Sequence, residues 1–531
     1  MKRIVVLSGA IGARKSTLAR GLHQRYGATV ARTRDLITAR VPDVENDRER
    51  LQAEGERLDA ESAGRWLAED LSRNSYPSHT LLVIDAVRTL EQIEAIRDTF
   101  GRIVTHIHLV APQDVRARRY LSRDRSRGEF ETYEEATRNA TERDVHRLAE
   151  HCDALIDTSL CTDEDVLVLA AARIGLYHTK TGACVDVIIG GQYGSEGKGN
   201  VASYLAPEYD YLVRVGGPNA GHKVISPPYT FRLLPSGTLH APKAKLLIGA
   251  GATLQLDTLL KEITDCGVDP TRLYIDPNAM IIEESDKHIE RKLMAAIGST
   301  GQGGGYAAAR RIMRGFLEGG RVRFANEAEE LKPFLRPAVD LLEGAFGEGA
   351  RVMLEGTQGA GLSLYHGRYP FVTSRDTTAS ATMAEAGIAP SRIRRIVMVC
   401  RTYPIRVGDP PNGTSGYMAQ EISWEEISER SGIPIEELVG VEVGSVTHKP
   451  RRVGEFEWEL FRKACSLNGP TDIALSFADY LNANNKNARR FEQLDQATIR
   501  FVEELERVGG APVSLISTRF HARSIIDRRM W

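Results

Sequence analysis

The chain carries two glycine-rich loops, each with a lysine, that could hold phosphate groups. One runs from Ser8 to Thr17 with the sequence SGAIGARKST, and the other runs from Gly190 to Asn200 with the sequence GGQYGSEGKGN. Glycines let backbone N–H groups approach an anion closely, and the lysine adds a positive charge. A short apolar segment typical of a buried strand precedes each loop. The sequence therefore predicts two phosphate sites, one near the N-terminus and one far from it.

The first loop nearly matches the P-loop pattern G-x-x-x-x-G-K-[ST]. In that pattern loop amides surround the phosphates, the lysine reaches the outer ones, and the next hydroxyl binds Mg²⁺. Arg14 stands where the last glycine of the pattern is expected, so the backbone there must accommodate a side chain. The predicted site comprises Gly9, Gly12, Lys15, Ser16 and Thr17, with Ser16 as the metal ligand.

Two features downstream of this loop support nucleotide chemistry. The apolar run 81–84 ends in Asp85 and Arg88, which suggests a carboxylate facing Mg²⁺ and a guanidinium facing phosphate. The arginine-dense segment 116–127 resembles the lid of a nucleoside monophosphate kinase. That resemblance implies a P-loop kinase-like parallel sheet, and a nucleotide sensor without turnover is the alternative. His106 and His108 are predicted to be strand residues rather than ligands.

Length and composition indicate a globular α/β protein of more than one domain. The chain has 531 residues, of which 42% are hydrophobic, and its net charge of -2 gives no reason to expect nucleic acid or membranes as partners. The six cysteines form no C-x-x-C pair, so neither a zinc site nor a disulfide framework is indicated. No apolar run could span a membrane, and a cytoplasmic location is expected. The predicted domains are 1–176 and 185–531, joined by a linker at 177–184.

Several further motifs follow the second loop in a fixed order. They are NAGH at 219–222, LPSG at 234–237, IGSTGQG at 297–303, LEGTQG at 354–359, HGRYPFVTS at 366–374 and IST at 516–518. Together with GSEGKG at 194–199 they resemble the adenylosuccinate synthetase family. The resemblance implies a mostly parallel sheet with flanking helices, working as a homodimer. It also implies a reaction in which the 6-oxygen of a purine monophosphate is phosphorylated and the amine of L-aspartate then displaces the phosphate.

The resemblance implies a role for each matching residue. His222 would be the acid that assists transfer to the purine oxygen, since imidazole titrates near neutral pH. The catalytic set would be Ser195, Lys198 and His222, and Ser195 and the Gly221 carbonyl would hold Mg²⁺. The nucleoside triphosphate would contact Gly194, Glu196, Gly197, Lys198, Gly199, Asp479 and Ser517. The purine monophosphate would contact Ser195, Asn219, Ala220, Thr300, Gln358, Thr373 and, across the dimer, Arg314; aspartate would contact Thr447, Lys449 and Arg451.

One departure from the family pattern indicates a changed purine. Family members have aspartate where this chain has Ser195, and a serine hydroxyl cannot act as a base at neutral pH. Serine is shorter and neutral, so it leaves room for an amino group at purine position 2 and can hydrogen bond to it. Together with Pro218, this resembles the PurZ branch of the family, which joins aspartate to deoxyguanylate. An ordinary IMP-using synthetase and a catalytically silent nucleotide-binding protein are the alternatives.

A second departure concerns the nucleoside triphosphate. The family reads the guanine of GTP with a T-K-x-D motif, but here Phe477 replaces the lysine and Arg519 takes the place of a glycine. Asp479 could still accept from the base or serve as a structural acid. The expected donor is therefore ATP or dATP rather than GTP. The N-terminal domain is expected to phosphorylate a purine monophosphate related to the same route.

Overall fold

The computed structural model describes residues 3–42, 48–73, 76, 81–122, 132–138, 142, 144–177, 182–318, 320–444, 450–521 and 524–531. The chain divides into two compact units, Met1–His178 and Thr179–Trp531, and the division lies inside the predicted linker. Both units are α/β, which confirms the predicted fold class. Within the described ranges, no helix combines the length and apolar character that a membrane crossing requires.

The first unit is built on a five-stranded parallel sheet. Its strands are β1 (Arg3–Ser8), β2 (Thr29–Arg32), β3 (Leu81–Asp85), β4 (Val104–Val110) and β5 (Ala154–Asp157), in the order β2-β3-β1-β4-β5. Ile4, Val5, Val6 and Leu7 of the central strand are fully buried, as its apolar sequence predicts. Strand β2 lies at an edge, and its sequence TVAR has no apolar run that would predict it.

Helices connect these strands. They are α1 (Lys15–Tyr26), α2 (Thr33–Arg40), α3 (Arg48–Ser62), α4 (Arg65–Arg73), α5 (Leu90–Phe100), α6 (Gln113–Leu121), α7 (Tyr133–Ala136) and α8 (Asp163–Arg173). Helix α1 begins directly after the first glycine-rich loop, so its N-terminal amides face the end of β1. This strand–loop–helix order is the one that the P-loop pattern requires.

Ser8, His106 and His108 form a buried hydrogen-bonded chain at the end of β1 and on β4. The Ser8 hydroxyl lies 2.6 Å from His106 Nε2 and 2.7 Å from His108 Nδ1. His106 Nδ1 lies 3.3 Å from the His151 carbonyl, so it carries a proton, and Nε2 accepts from Ser8. Both histidines are strand residues, and burial lowers the pKa of each to about 4.

We expect acid to destabilise the first unit through this pair. The unfolded chain binds protons on these histidines below their ordinary pKa of about 6.5, whereas the folded chain does not until about pH 4, so stability falls as pH drops between these values. The loss is about 2–3 kcal/mol for each histidine. Calorimetry of the full chain from pH 7 to 4.5 measures how the free energy of unfolding depends on pH. The same measurement on the double variant His106→Gln, His108→Gln provides the comparison. Equal pH dependence in parent and variant would contradict the assignment.

The second unit contains sixteen strands and ten α-helices within the described residues. The strands are β6 (Val185–Gly190), β7 (Tyr211–Arg214), β8 (His222–Ile225), β9 (Pro228–Phe231), β10 (Lys245–Ile248), β11 (Thr253–Leu254), β12 (Leu273–Ile275), β13 (Met280–Ile281), β14 (Val352–Glu355), β15 (Ile393–Arg401), β16 (Ile405–Arg406), β17 (Glu421–Ile422), β18 (Arg452–Gly454), β19 (Asp472–Ser476), β20 (Val513–Ser517) and β21 (Ile525–Asp527). The helices are α9 (Lys198–Leu205), α10 (Leu256–Asp265), α11 (Glu284–Ile297), α12 (Gly304–Ile312), α13 (Ala338–Gly347), α14 (Ala379–Ala386), α15 (Trp424–Ser431), α16 (Ile435–Val441), α17 (Trp458–Asn468) and α18 (Gln496–Gly509).

A nine-stranded sheet organises this unit in the order β12-β10-β7-β14-β6-β15-β19-β20-β21. Every pairing in it is parallel except that of β20 with β21, which confirms the predicted mostly parallel sheet. Strand β6 is central, and all six of its residues are buried. Val187 and Ile189 pack into the core on one side of the sheet and Ile188 into the core on the other.

Candidate functional site

The carboxyl ends of β6, β7 and β14 meet at one edge of the large sheet. Glu355 is in register with Ile188 of β6 and with Arg214 of β7, so the polar ends of these strands lie together. Ligands of open α/β sheets bind beyond such carboxyl ends. A pocket of about 690 Å³ opens there, and its wall includes residues of the predicted loops and motifs.

The second glycine-rich loop is held together by Glu196. This carboxylate is fully buried, accepts from the N–H groups of Gln192 (3.1 Å) and Gly194 (2.8 Å), and pairs with Lys198. Gly197 has φ +88°, and a Cβ added to Gly199 would lie 2.9 Å from the Cβ of His222. The loop thus needs its glycines both for its turn and for its close approach to His222. Helix α9 begins at Lys198, so its first amides are available to an anion.

Ser195 occupies a backbone conformation that few residue types adopt. Its φ is +55°, in the left-handed region where aspartate and asparagine are enriched among non-glycine residues. The Arg451 guanidinium donates to Ser195 Oγ at 3.4 Å, and the Arg401 guanidinium donates to its carbonyl at 3.4 Å. Ser195 lines the pocket, so its hydroxyl presents a small neutral group between cationic neighbours.

His222 is held by a buried carboxylate that sequence reasoning did not single out. His222 Nδ1 lies 2.5 Å from Glu355 Oε1, and Glu355 also accepts from the Ser236 N–H at 2.8 Å and from Arg214 at 3.3 Å. Because an ionised carboxylate only accepts hydrogen bonds, Nδ1 carries the proton. The Nε2 nitrogen is then left for a ligand.

Burial governs the charges of this pair. Burial, together with Arg214, lowers the pKa of His222 to about 4. Burial alone would raise the pKa of Glu355, but Arg214 and His222 hold it at about 2. His222 is therefore neutral at pH 7 unless negative charge is added beside it. Phosphate groups at the adjacent Lys198 loop would bring that charge and raise the pKa of the imidazole.

The predicted monophosphate residues converge on the same pocket. Asn219, Ala220, Gly221, Thr300, Gln358 and Thr373 all lie on its wall. The Gln358 amide donates to Thr373 Oγ1 at 3.0 Å. Asn219 Oδ1 and Thr300 Oγ1 are buried and have no hydrogen-bond partner among the described residues, which suits groups awaiting a ligand. Glu290 was not predicted, yet it lines the pocket and its Oε2 also lacks a described partner.

The structure distinguishes the three arginines at the end of α12. Arg310 is fully buried and pairs with Asp286 at 2.6 Å. Arg311 donates to the carbonyls of Ala250 and Asn278, each at 3.1 Å. Arg314 is exposed and has φ +54°. Of the three, Arg314 is the exposed one.

The predicted aspartate site is described in part. Thr447 and Lys449 lie outside the described residues. Arg451 pairs with Glu442 at 2.8 Å, and Glu442 also binds Arg401 at 2.6 Å and the Tyr480 hydroxyl at 2.8 Å. Burial alone would raise the pKa of Glu442, but the two arginines hold it at about 2. No sequence motif pointed to Arg401 or Glu442, because their pairing depends on the fold.

Only some of the residues that were expected to contact the base of the triphosphate line the pocket. Phe477 lines the pocket, whereas Asp479 and Ser517 are absent from the wall that the described residues form. Asp479 is buried, its Oδ1 has no described partner, and burial raises its pKa to about 7. The Ser517 hydroxyl donates to the Arg519 carbonyl at 3.0 Å. Asp479 thus lies off the described pocket wall, with one buried carboxylate oxygen that has no described partner.

The donors at the pocket fit Mg²⁺ that is held chiefly by phosphates. Mg²⁺ prefers oxygen ligands and retains several waters. Throughout the described ranges, no group of three or more His, Cys, Asp or Glu residues could hold a metal by itself. Glu196 and Glu355 are engaged as described above, so Ser195 Oγ and the Gly221 carbonyl are neutral oxygen ligands on the wall of the pocket.

The first glycine-rich loop accommodates Arg14 in a left-handed backbone conformation, with its side chain bound to neighbouring residues. Arg14 has φ +72°, a glycine-like conformation, and its guanidinium donates to the Cys161 carbonyl at 2.7 Å and pairs with Asp163 at 3.0 Å. Lys15 Nζ donates to the carbonyls of Gly9 (2.6 Å) and Ala10 (3.1 Å), and Ser16 is exposed. The loop therefore keeps its lysine inside and its hydroxyl accessible.

The other predicted residues of this site are partly engaged. Asp85 is buried and its Oδ1 has no described partner, which suits a carboxylate that faces a hydrated metal. Arg88 pairs with Glu142 rather than standing free for phosphate. In the arginine-dense segment, Arg119 donates to Thr158, and the stretch 123–131 lies outside the described residues.

Comparison with known proteins agrees with the motifs. A protein-family model described as Adenylosuccinate synthetase matches residues 187–322 and 319–486, and one described as AAA domain matches residues 5–144. The adenylosuccinate synthetase of Methanocaldococcus jannaschii is 40% identical over 354 residues, which are 65% of this chain and 96% of that protein.

Two solved structures resemble the second unit. The fully ligated adenylosuccinate synthetase from Plasmodium falciparum superposes with a TM-score of 0.56 at 22% identity and shares the fold; the match covers 66% of this chain and 100% of that one. The succinoaminodeoxyadenylate synthetase PurZ of cyanophage S-2L, bound to dGMP and dATP as an energy donor, superposes at 0.53 with 27% identity over 65% of this chain and 96% of its own. With its P-loop unit at the N-terminus, the chain belongs to the adenylosuccinate synthetase family and is a C–N bond-forming ligase of that type.

Proposed function

We propose that the second unit condenses L-aspartate with GMP or dGMP at purine position 6, using ATP or dATP. The observation that carries this proposal is Ser195, a small neutral residue on the pocket wall where the family pattern has aspartate. The similarity to PurZ, a protein solved with dGMP and dATP, supports it.

The charges around the pocket agree with a 2-amino purine. Among the described residues, the carboxylates on the pocket wall are Glu290 and Glu442. Glu442 is committed to Arg401 and Arg451, so it cannot take the place of the missing aspartate beside Ser195. An amino group at position 2 needs space and a hydrogen-bond acceptor, and the Ser195 hydroxyl offers both.

The residues of the pocket suit a two-step reaction. The 6-oxygen of the purine attacks the γ-phosphorus of the triphosphate, ADP or dADP leaves, and the proton on nitrogen 1 passes to water. The amine of aspartate then adds at carbon 6, phosphate leaves, and the proton of the amine passes to water. Lys198 and the first amides of α9 bind the triphosphate, and Mg²⁺, when bound, neutralises part of its charge. When the bound phosphates have raised the pKa of His222, its imidazolium form donates the Nε2 proton to the purine oxygen, while Glu355 accepts from Nδ1 and fixes the ring. Arg451 binds an aspartate carboxylate together with Thr447 and Lys449.

A substrate panel tests this proposal. The full chain is supplied with aspartate, Mg²⁺ and either ATP or GTP, together with dGMP, GMP or IMP, while phosphate release is followed and the succinylated product is identified by mass. Product from dGMP or GMP supports the proposal. Product from IMP alone would show an ordinary synthetase, and no product from any of the three would favour a catalytically silent nucleotide-binding protein.

We also propose that the second unit works as a homodimer in which Arg314 reaches the phosphate of the partner's monophosphate. Arg314 is exposed beside two apolar side chains, Ile312 and Phe316, which are 76% and 87% exposed. Exposed apolar side chains around a cation are typical of an interface. Sedimentation of the full chain checks this, and a monomer at assay concentration would contradict it.

For the first unit we propose phosphorylation of a purine nucleoside monophosphate by ATP. Its support is the geometry of the first loop, the accessible Ser16, and Asp85 Oδ1, which has no described partner. A ligase that makes a nucleoside monophosphate and a kinase that acts on such molecules are chemically consecutive. Turnover with none of a panel of purine monophosphates would favour a nucleotide sensor instead.

Lys15→Met is expected to lower the kinase kcat by about 100-fold or more. The ammonium group is the loop's cation for the transferred phosphate, and removal of one such preorganised charge costs about 3–4 kcal/mol of transition-state stabilisation. ADP formation with the best monophosphate substrate measures the effect. Arg20→Met removes a cation from the exposed face of the same helix and serves as the matched control. A loss of rate in the control equal to that in Lys15→Met would contradict a specific role.

A further inference from the structure

Two phenylalanine rings stand nearly parallel on the wall of the ligase pocket. Phe477 and Phe520, hereafter the aromatic pair, have ring centroids 6.3 Å apart and planes inclined by only 8°. Both side chains line the pocket that contains Lys198 and Ser195. Each is partly exposed, so their faces are accessible to a ligand.

The fold positions both rings at neighbouring strand ends. Phe477 follows β19 and Phe520 comes three residues after the end of β20, and these two strands pair in parallel. Phe477 has φ +60°, and the Arg401 guanidinium packs over its ring at 4.3 Å. Lys223 Nζ lies 5.7 Å from the Phe520 ring centroid. Because charged and aromatic groups support them, the two rings are held at the mouth of the same pocket.

The aromatic pair also adjoins the phosphate loop. The Ser476 hydroxyl donates to the Glu196 carbonyl at 2.6 Å, which ties the end of β19 to that loop. A Cβ added to Gly197 would lie 3.8 Å from Phe477 Cε2. A nucleotide whose phosphates bind at Lys198 can therefore direct its base to these rings. Asp479, the remaining acid of the segment, is absent from the wall that the described residues form.

We propose that the base of the nucleoside triphosphate stacks on Phe477 and Phe520 and is selected by its flat face rather than by its hydrogen-bonding edge. This proposal rests on the assignment of the triphosphate to the Lys198 loop. Stacking on aromatic side chains tolerates every base, because each base has a π face. A base inserted between two rings needs about 7 Å between their planes, more than the observed centroid distance of 6.3 Å, so the base stacks on the exposed ring faces rather than between the rings. The site consequently accepts adenine without a group dedicated to reading it.

Substitution of either ring should weaken binding of the nucleoside triphosphate but not binding of the other two substrates. In the full chain, Phe477→Leu and Phe520→Leu are expected to raise the KM for ATP by about tenfold or more and the KM for GTP by the same factor. The KM values for the purine monophosphate and for aspartate should stay within about twofold, since those substrates lie elsewhere in the pocket. Phe491→Leu, which removes an aromatic ring outside the pocket, is the matched control and should leave the KM for ATP unchanged.

Competition by inorganic tripolyphosphate shows whether the leucine substitutions remove stacking of the base or disturb the phosphate loop. It has no base, so its inhibition constant against ATP should be the same in parent and leucine variants. A rise of that constant together with the KM for ATP would show a disturbed phosphate loop and overturn the proposal. An unchanged KM for ATP in both leucine variants would overturn it as well.

A binding measurement distinguishes failure of this inference from failure of the proposed ligase substrate. Phe520→Trp keeps a flat ring at the position, and its fluorescence relative to the parent chain should be quenched on addition of ATP and not of tripolyphosphate. This readout needs no purine monophosphate and no turnover. Quenching without any product from dGMP, GMP or IMP would support stacking of the base on the aromatic pair and reject the ligase proposal. Absence of quenching in a variant that still forms product would reject the aromatic pair.

Discussion

Ser195→Asp is expected to shift the ratio of kcat/KM values for dGMP and IMP by at least about 100-fold toward IMP. The longer carboxylate occupies the space proposed for the 2-amino group, and overpacking of this kind costs about 1–3 kcal/mol. It also supplies a base for nitrogen 1, and a positioned base contributes about 10²–10⁴-fold. The backbone favours the change, because position 195 has φ +55°, which aspartate tolerates, and Arg451 lies 3.4 Å from the present Oγ. Initial rates with both purines measure it.

Ser195→Asn separates the two causes. Asparagine has the size of aspartate and the same tolerance of left-handed backbone, but it cannot accept a proton. The asparagine variant should therefore lose activity with dGMP without gaining activity with IMP. An unchanged preference in Ser195→Asp would show that another residue selects the purine.

Glu355→Gln is expected to lower the ligase kcat by about 100-fold or more while leaving the KM values for all three substrates within about threefold. Glu355 contacts the imidazole and not the pocket, so its loss should affect the proton on His222 rather than binding. Without the carboxylate the imidazolium form loses its partner, and proton donation to the purine oxygen becomes rarer. Steady-state kinetics with each substrate varied in turn gives the division between kcat and KM.

The control for Glu355→Gln must remove another carboxylate that pairs with an arginine but does not contact His222. Glu385 pairs with Arg375 at 2.7 Å in the same unit and lies off the pocket wall, so Glu385→Gln serves this purpose. It should reduce thermal stability as Glu355→Gln does, because each removes the charged partner of an arginine. It should not change kcat. Equal losses of kcat in both variants would show a general effect of destabilisation and contradict the role of Glu355.

The positions of both phosphate loops could be predicted because their signals are local. A run such as Val187, Ile188, Ile189 predicts a strand buried on both faces, and the glycines that follow predict a turn around an anion. The central strands β1 and β6 and the start of helices α1 and α9 agree with these patterns. The family motifs further indicated the ligase class, which the relatives confirm. All of these inferences use neighbouring residues only.

The contacts between distant segments could not be predicted in this way. His222 and Glu355 are 133 residues apart, and Arg401 is 41 residues from Glu442. Phe477 and Phe520 come from different strands and meet only because β19 and β20 pair. A single sequence has no period or spacing that links such residues. The burial of Asp479, which is absent from the described pocket wall, likewise depends on the fold.

The sequence by itself determined the two phosphate loops, the family and the residue types that are available to the purine, above all the serine at position 195. Only the tertiary structure decided which charges are already paired, which buried polar atoms have no described partner and which rings line the pocket. The physical reason is that loop geometry depends on local backbone preferences, whereas pKa values, ion pairs and stacking depend on burial and on strands brought together by the sheet.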